Sequence, residues 1–502
     1  MRSREIGDFV LAHMSDDPIE AERMIGILAR ENLITDRGLH VYLSELFVAR
    51  RIEQFSTLLA DERLGHPDVR LYHRLQLDQY RGVAETSAEE LRQIIDRTHG
   101  TMIGPALRKA ALSSAIFRGD VVFALELLRE DTATVSSGHL TGGIRMLLKH
   151  GRRDEARALL EHRLRMLDGT DRLYFLELAQ ELLPPDQQKE LGVGHQNWRD
   201  VLHQFAAQRD EREDGPLFRS TVADKLMLVP PGSRDLMNIR VDAGERAALL
   251  GIVSDALQER RPLSLLRLGD GEAYAFPTPR IDDAFDEAVA EDNRVREIHW
   301  WGQHPSEERR LAICESVREA VRNADIVGLP AIYRVIRDLP RKLDLNSGRT
   351  NRGLMTVFAM MGVDIRLDGT IFTEERCHQV LFDLPTLQRL VELAERTVVV
   401  GCWTKEQLAG DFLDGAELVL IPPQTKVRDA ADTSPPLFDV YETIDAEVAR
   451  LSAPGTLVLV AGGIIGKMFL HTARSRGAVA LDIGSVIDYM AGRKTRSIVD
   501  LV

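Results

Sequence analysis

LSLLRLGDGE, Leu263–Glu272, is the stretch on which the reading of this chain turns. Its first six residues are apolar except for Ser264 and Arg267, and Gly269 closes the run. That is too short for a helix and is the pattern of a strand buried on both faces of a parallel sheet. Gly-Asp-Gly-Glu follows. In a locally extended segment, side chains two positions apart project to the same side. Asp270 and Glu272 are therefore the candidate catalytic pair and the candidate ligands of one hard divalent cation. Gly269 and Gly271 keep side-chain bulk away from that spot. Open α/β sheets bind ligands at the carboxyl ends of their strands, where this turn falls. Asp and Gly are also ordinary residues of a solvated turn, and the position directly after a buried-type strand is what favours a site. Arg267 lies inside the strand, where an unpaired charge is costly, so it is expected to pair with a site carboxylate or with the ligand.

Beyond Glu272, apolar strands at 325–330, 397–402, 417–423, 456–463 and 478–484 alternate with helical stretches at 306–322, 350–361, 385–394, 438–451 and 463–476. A further helix at 242–259 leads into the first strand. This alternation predicts an α/β fold with a Rossmann-like, doubly wound, mostly parallel sheet. Within it, Gly462–Tyr489 reads GGIIGKMFLHTARSRGAVALDIGSVIDY. A strand runs into glycines and a helix whose exposed N-terminal amides suit a phosphate or diphosphate, and Lys467 adds a point charge. Ala461 and Met468 stand where a Walker P-loop needs Gly and Ser or Thr, and no G-x-G-x-x-G is present. Close helix–sheet packing explains the same glycines and helix capping explains Asp482, so both readings stay open here.

RLGDGE resembles the strand-to-loop signature of the GT-D fold glycosyltransferases, usually RFGDGE, with Leu268 in place of the Phe. The glycine-containing turn, the helix and Asp482-Ile483-Gly484 resemble the C-terminal portion of the same family. A His often follows Asp-Ile-Gly in that family; Ser485 stands here, which puts any role of that His in doubt. The resemblance covers roughly residues 240–495. It implies a metal-dependent glycosyltransferase in which Asp270 and Glu272 bind Mn²⁺ or Mg²⁺. The donor is then a nucleotide sugar, a UDP-sugar foremost. Arg267, Gly269, Gly271, Gly463, Gly466, Lys467, Asp482 and Ser485 form the donor pocket, and the acceptor is a glycan, a lipid-linked sugar or a glycoprotein. Two alternatives stay open: a non-enzymatic helical-repeat scaffold with a degenerate α/β domain, and another Rossmann-like enzyme, a methyltransferase or phosphoester hydrolase.

Residues 1–205 read as an all-helical domain. FRGDVVFALELL and KHGRRDEARALLEHRL share a turn, an acidic residue, an Ala and a Leu-Leu pair, which resembles repeats of the tetratricopeptide (TPR) kind stacked into an α-solenoid. No complete consensus recurs at a fixed period, so an irregular bundle is the competing reading. No catalytic constellation stands out, and the expected role is to hold a protein partner, an acceptor or another copy of the chain. AAQRDEREDGP at 206–216 is charged and ends in a breaker. Residues 206–240 are accordingly expected to be a linker and lead-in, with 241–502 the catalytic domain.

A chain of 502 residues exceeds one ordinary core, and 44% hydrophobic with 28% charged residues is a globular composition. The net charge of -14 argues against a duplex nucleic-acid partner. The N-terminus lacks the apolar core of a secretory signal, and the apolar run Leu457–Ile465 is far short of the ~20 residues of a membrane span. The expected compartment is cytoplasmic, with a peripheral position on the inner membrane face left open. Cys314, Cys377 and Cys402 offer no disulfide framework or spaced zinc site. His299, Trp300, Trp301 and His304 form an aromatic cluster suited to a sugar or base; Arg349, Arg352, Lys426 and Arg428 are candidates for a diphosphate. His378, beside Glu374 and Glu375, is a candidate general base.

Overall fold

The strand read at Leu263 becomes β1 (Leu263–Arg267) of a seven-stranded sheet. The others are β2 (Ile326–Leu329), β3 (Ile371–Glu374), β4 (Arg396–Gly401), β5 (Glu417–Leu420), β6 (Thr456–Val460) and β7 (Val479–Asp482). They pair in the order β3-β2-β1-β7-β6-β4-β5, and every pairing is parallel. The computed structural model describes residues 24, 27–28, 35–48, 52–62, 67–81, 86–98, 104–130, 135–167, 172, 175–193, 239, 243–276, 283–329, 353, 356, 369–408, 411–425, 427–428 and 432–492.

The all-helical expectation holds in the N-terminal region. Its described helices are α1 (Asp36–Val48), α2 (Ile52–Ala60), α3 (Pro67–Arg81), α4 (Ala88–Thr98), α5 (Gly104–Arg118), α6 (Val121–Glu130), α7 (Ser137–Lys149), α8 (Arg153–Met166), α9 (Leu176–Leu182) and α10 (Pro185–Glu190). Most pack on the next helix in the chain; α3 on α5 and α5 on α7 also pack one further along, an arrangement of stacked hairpins. Leu and Ala at helical spacing fill the interior, with Phe123, Leu128, Leu140, Leu147 and Leu160 in one cluster.

The sheet is covered by helices on both faces. α11 (Ala243–Gln258), α14 (Cys377–Leu381), α15 (Leu384–Leu393) and α18 (Val486–Met490) share one core with Leu263, Leu265, Leu457, Leu459 and Leu481. α12 (Asp283–Trp301), α13 (Glu307–Arg322), α16 (Leu437–Leu451) and α17 (Gly466–Ser475) share the other with Leu266, Val398, Val400, Val458 and Val460. Successive strand residues face opposite sides, so a strand buried on both has to be apolar throughout, as TLVLV in β6 is.

Two elements escape the apolar pattern. β3, IFTE, is an edge strand whose Thr373 and Glu374 break the run. α12 turns Asp292, Asn293, Arg296 and Glu297 inward, so its buried face is polar and carries no apolar period of 3.6. Three expected strands overrun. The chain leaves the sheet at Leu420, Val460 and Asp482, and the residues just beyond build the cleft described below. The helix expected at 350–361 and the linker at 206–240 lie almost wholly outside the described residues. Among those described, no helix is long and apolar enough to cross a membrane.

Candidate functional site

A cleft of about 430 Å³ opens along the carboxyl ends of the strands. It is lined after β1 by Gly269–Glu272, after β3 by Glu375, Arg376 and His378, after β5 by Gln424, after β6 by Gly462, Gly463 and Lys467, and after β7 by Gly484, Ser485 and Asp488. That is where a doubly wound sheet places its ligand, because the strand-to-helix turns converge there with helix N-termini behind them.

The Gly-Asp-Gly-Glu turn is not extended. Asp270 has φ -62 and ψ -28, and Gly271–Ala275 forms a 3₁₀ turn. Side chains two positions apart on such a turn diverge, since each residue advances a third of a revolution. The two carboxylates accordingly have different partners. Glu272 folds back, its Oε2 accepting the Gly269 N–H at 2.7 Å and its Oε1 lying 3.0 Å from Lys467 Nζ. Asp270 Oδ2 lies 3.6 Å from Arg296 Nη2, and Arg296 also donates to the Asp270 carbonyl.

Beneath the turn runs an ion network through three elements. Arg267 Nη2 donates to Asp482 Oδ1 at 2.8 Å, and Lys467 Nζ donates to Asp482 Oδ2 at 2.7 Å. The pairing expected for Arg267 is thus with Asp482. Burial by itself would raise the Asp482 carboxyl; Arg267 and Lys467 outweigh it and hold it below the ordinary Asp value. Asp482 and Gly466 do not line the cleft. Asp482 lies under its floor, and Gly466 starts α17, its N–H bonding the Gly462 carbonyl at 3.0 Å.

Two glycines of the floor allow close approach. Gly484 has φ +47, and a Cβ there would lie 2.2 Å from Arg267 Nη2. Gly463 has φ +58, and a Cβ would meet the Gln424 amide at 2.4 Å. His378 is buried, with Arg267 Nη1 2.8 Å from its Nδ1 and Ser485 Oγ 3.5 Å from its Nε2. A guanidinium can only donate, so the ring nitrogen that receives it is unprotonated, and a proton placed there would face the cation. This geometry makes His378 a poor proton acceptor.

Of the aromatic cluster, Trp300 reaches the cleft beside Gly271. Trp301 is buried against Phe438 at a ring separation of 5.4 Å, and His304 Nδ1 lies 2.7 Å from Glu297. Arg428 donates to the Ser434 carbonyl outside the cleft; Arg349, Arg352 and Lys426 lie outside the described residues. Sequence reasoning missed Asp488, Gln424 and Arg296. Asp488, whose Oδ1 accepts the Trp403 indole N–H at 2.8 Å, had a signal: it stands one helical turn after Ser485. Arg296, in a helix crowded with charge, had none.

Residues 245–490 match the family model of the GT-D fold-like domain. The C-terminal half of this chain is a GT-D-like domain. RLGDGE and the Asp482-Ile483-Gly484 corner both fall inside it, as the sequence resemblance anticipated. Two solved structures are similar at 14% identity and a TM-score of 0.28, each match covering 50% of this chain and 88% of the other. One is described as a selenomethionine-substituted structure of domain of unknown function 1792 and the other as that domain having a distinct glycosyltransferase fold. A search of curated proteins finds no match. The helical region before residue 245 lies outside the GT-D-like match.

Proposed function

We propose that this protein is a glycosyltransferase whose cleft binds a nucleotide sugar, a UDP-sugar foremost, and passes the sugar to a hydroxyl of a glycan, lipid-linked or protein-linked acceptor. The observation that carries the reading is the convergence, in one cleft of a GT-D-like domain, of the Gly-Asp-Gly-Glu turn and the glycine turn at the N-terminus of α17. In the transfer, the bond from the anomeric carbon to the phosphate oxygen breaks and one to the acceptor oxygen forms. The electron pair stays with the departing diphosphate, and the hydroxyl proton leaves to a base. The glycine turn presents amides to the diphosphate, and Trp300 offers an aromatic face or edge to the sugar or base.

Charge balance supports a divalent cation. Among the described residues of the lining, Arg267, Arg376 and Lys467 stand against the carboxylates of Asp270, Glu272, Glu375 and Asp488. Each of the three basic groups already has a carboxylate within reach: Arg267 at 2.8 Å, Lys467 at 2.7 Å and Arg376 at 3.9 Å. A diphosphate entering this cleft meets no surplus positive charge from them. The donor set fits Mn²⁺ or Mg²⁺, which is held by one or two carboxylates and completed by substrate phosphates. No cluster of three metal-capable side chains occurs among the described residues, which agrees with a site completed by its substrate. Asp270, with Glu272 beside it, would hold the ion. Bound there, the ion supplies Lewis-acid stabilisation of the departing diphosphate.

Calorimetric titration of UDP, GDP and a panel of nucleotide sugars, with and without Mn²⁺, tests the reading in the wild type and in Asp270→Ala. Metal-dependent binding of one nucleotide, lost in the variant, is the expected result. Absence of binding throughout, with the variant behaving as the wild type, overturns it in favour of the scaffold.

A further inference from the structure

We propose that the two carboxylates of the Gly-Asp-Gly-Glu turn do different work: Asp270 is the one that faces the cation and the donor, and Glu272 is a positioning residue that holds Lys467 and, through it, the glycine turn. This deepens the glycosyltransferase reading and rests on it.

The division follows from the turn. Because the chain enters a 3₁₀ turn at Asp270, the two side chains leave in different directions. Both oxygens of Glu272 are engaged inside the protein, one by the Gly269 N–H at 2.7 Å and the other by the Lys467 ammonium at 3.0 Å. A cation bound at Glu272 would have to share those oxygens with an ammonium already 3.0 Å away. Asp270 is placed otherwise: its carboxylate is 33% exposed against 13% for Glu272, and Arg296 stands 3.6 Å from it, beyond hydrogen-bond range.

Lys467 explains why Glu272 is needed. Its side chain is 3% exposed and its Nζ sits between Asp482 at 2.7 Å, Glu272 at 3.0 Å and the Gly463 carbonyl at 3.4 Å. A buried ammonium is tolerated only when paired. Glu272 and Asp482 together therefore hold α17 and its N-terminal turn against the ends of β1 and β7. Substituting Glu272 disturbs the turn that receives the diphosphate while leaving Asp270 in place.

The test compares Asp270→Asn and Glu272→Gln, both close in shape to the native residues, by paramagnetic resonance titration with Mn²⁺ alone and again with UDP or GDP present. Asp270→Asn is expected to weaken Mn²⁺ binding about tenfold or more, and Glu272→Gln much less. Equal losses overturn the division. A second measurement needs no metal: a double-mutant cycle of Glu272→Gln and Lys467→Met in thermal unfolding with chelator present. Coupling between the two sites is expected, and additive effects overturn the proposal. Should the wild type bind neither Mn²⁺ nor nucleotide, the glycosyltransferase reading falls. The cycle then still decides whether Glu272 belongs to Lys467.

Discussion

Arg267 Nη2 lies 2.8 Å from Asp482 Oδ1, tying the last residue of β1 to the last residue of the neighbouring β7. Breaking one side of a buried pair strands the other charge. Arg267→Met is expected to lower stability by about 3 kcal/mol, measured by urea unfolding, with Lys467 left as the remaining cation on Asp482. Arg267→Lys should recover only part of the loss, since one ammonium cannot repeat contacts to Asp482, His378 and the Glu375 carbonyl. A loss near zero for Arg267→Met would show that the pair adds nothing to the fold.

Gly484 and Gly251 make opposite predictions for the same change to Ala. At Gly484 a Cβ runs into Arg267 and φ is positive, so Gly484→Ala should destabilise by about 1–3 kcal/mol and displace the guanidinium. Gly251 lies inside α11 with nothing within 4 Å of a Cβ, so Gly251→Ala should stabilise by about 0.5–1 kcal/mol. Thermal unfolding of the two variants side by side settles both signs.

His73 gives the N-terminal helices an acid limit. Its ring is fully buried, bonded to His40 at 3.1 Å and Gln76 at 3.0 Å, and burial, with His40 second, pushes its pKa down to about 4 from 6.5. The fold favours the neutral ring while the unfolded chain takes a proton at its ordinary value, so the unfolded state binds more protons between those values. The contribution is complete above pH 6.5 and is lost as pH falls towards about 4, to a total of about 3 kcal/mol. Hydrogen exchange of the α3 amides at stepped pH should show protection falling across that window, and His73→Gln should flatten the slope.

Far from the cleft, Asp325 staples the opposite end of the sheet. Arg474 binds it at 2.6 and 2.7 Å, and its Oδ2 also accepts the Ser264 N–H at 2.7 Å. Arg474→Ala leaves that carboxylate partly desolvated and should cost about 1–3 kcal/mol in urea unfolding. Activity per folded molecule should stay unchanged, and a fall in it would mean that this end of the sheet communicates with the cleft.

Most of the fold was legible because a parallel sheet covered on both faces has to be written in apolar runs, and β1, β4 and β6 are. β3 and α12 were not, because an edge strand tolerates Thr373 and Glu374 and because α12 buries charge against partners distant in sequence. Arg310, for one, pairs with Glu297 of α12 across a turn, an arrangement no period records.

The sequence by itself determined which residues meet at the cleft: the Gly-Asp-Gly-Glu turn, the glycine turn before Lys467 and the Asp-Ile-Gly corner each follow a strand and so fall on one edge of the sheet. Only the tertiary structure decided what each does there. The spacing of Asp270 and Glu272 suggested one shared direction, but the chain turns at Asp270, and a lysine 195 positions beyond Glu272 takes its carboxylate. Side-chain direction at a strand end depends on the backbone angles of the turn and on the charge that packing brings near, and neither is written in the local sequence.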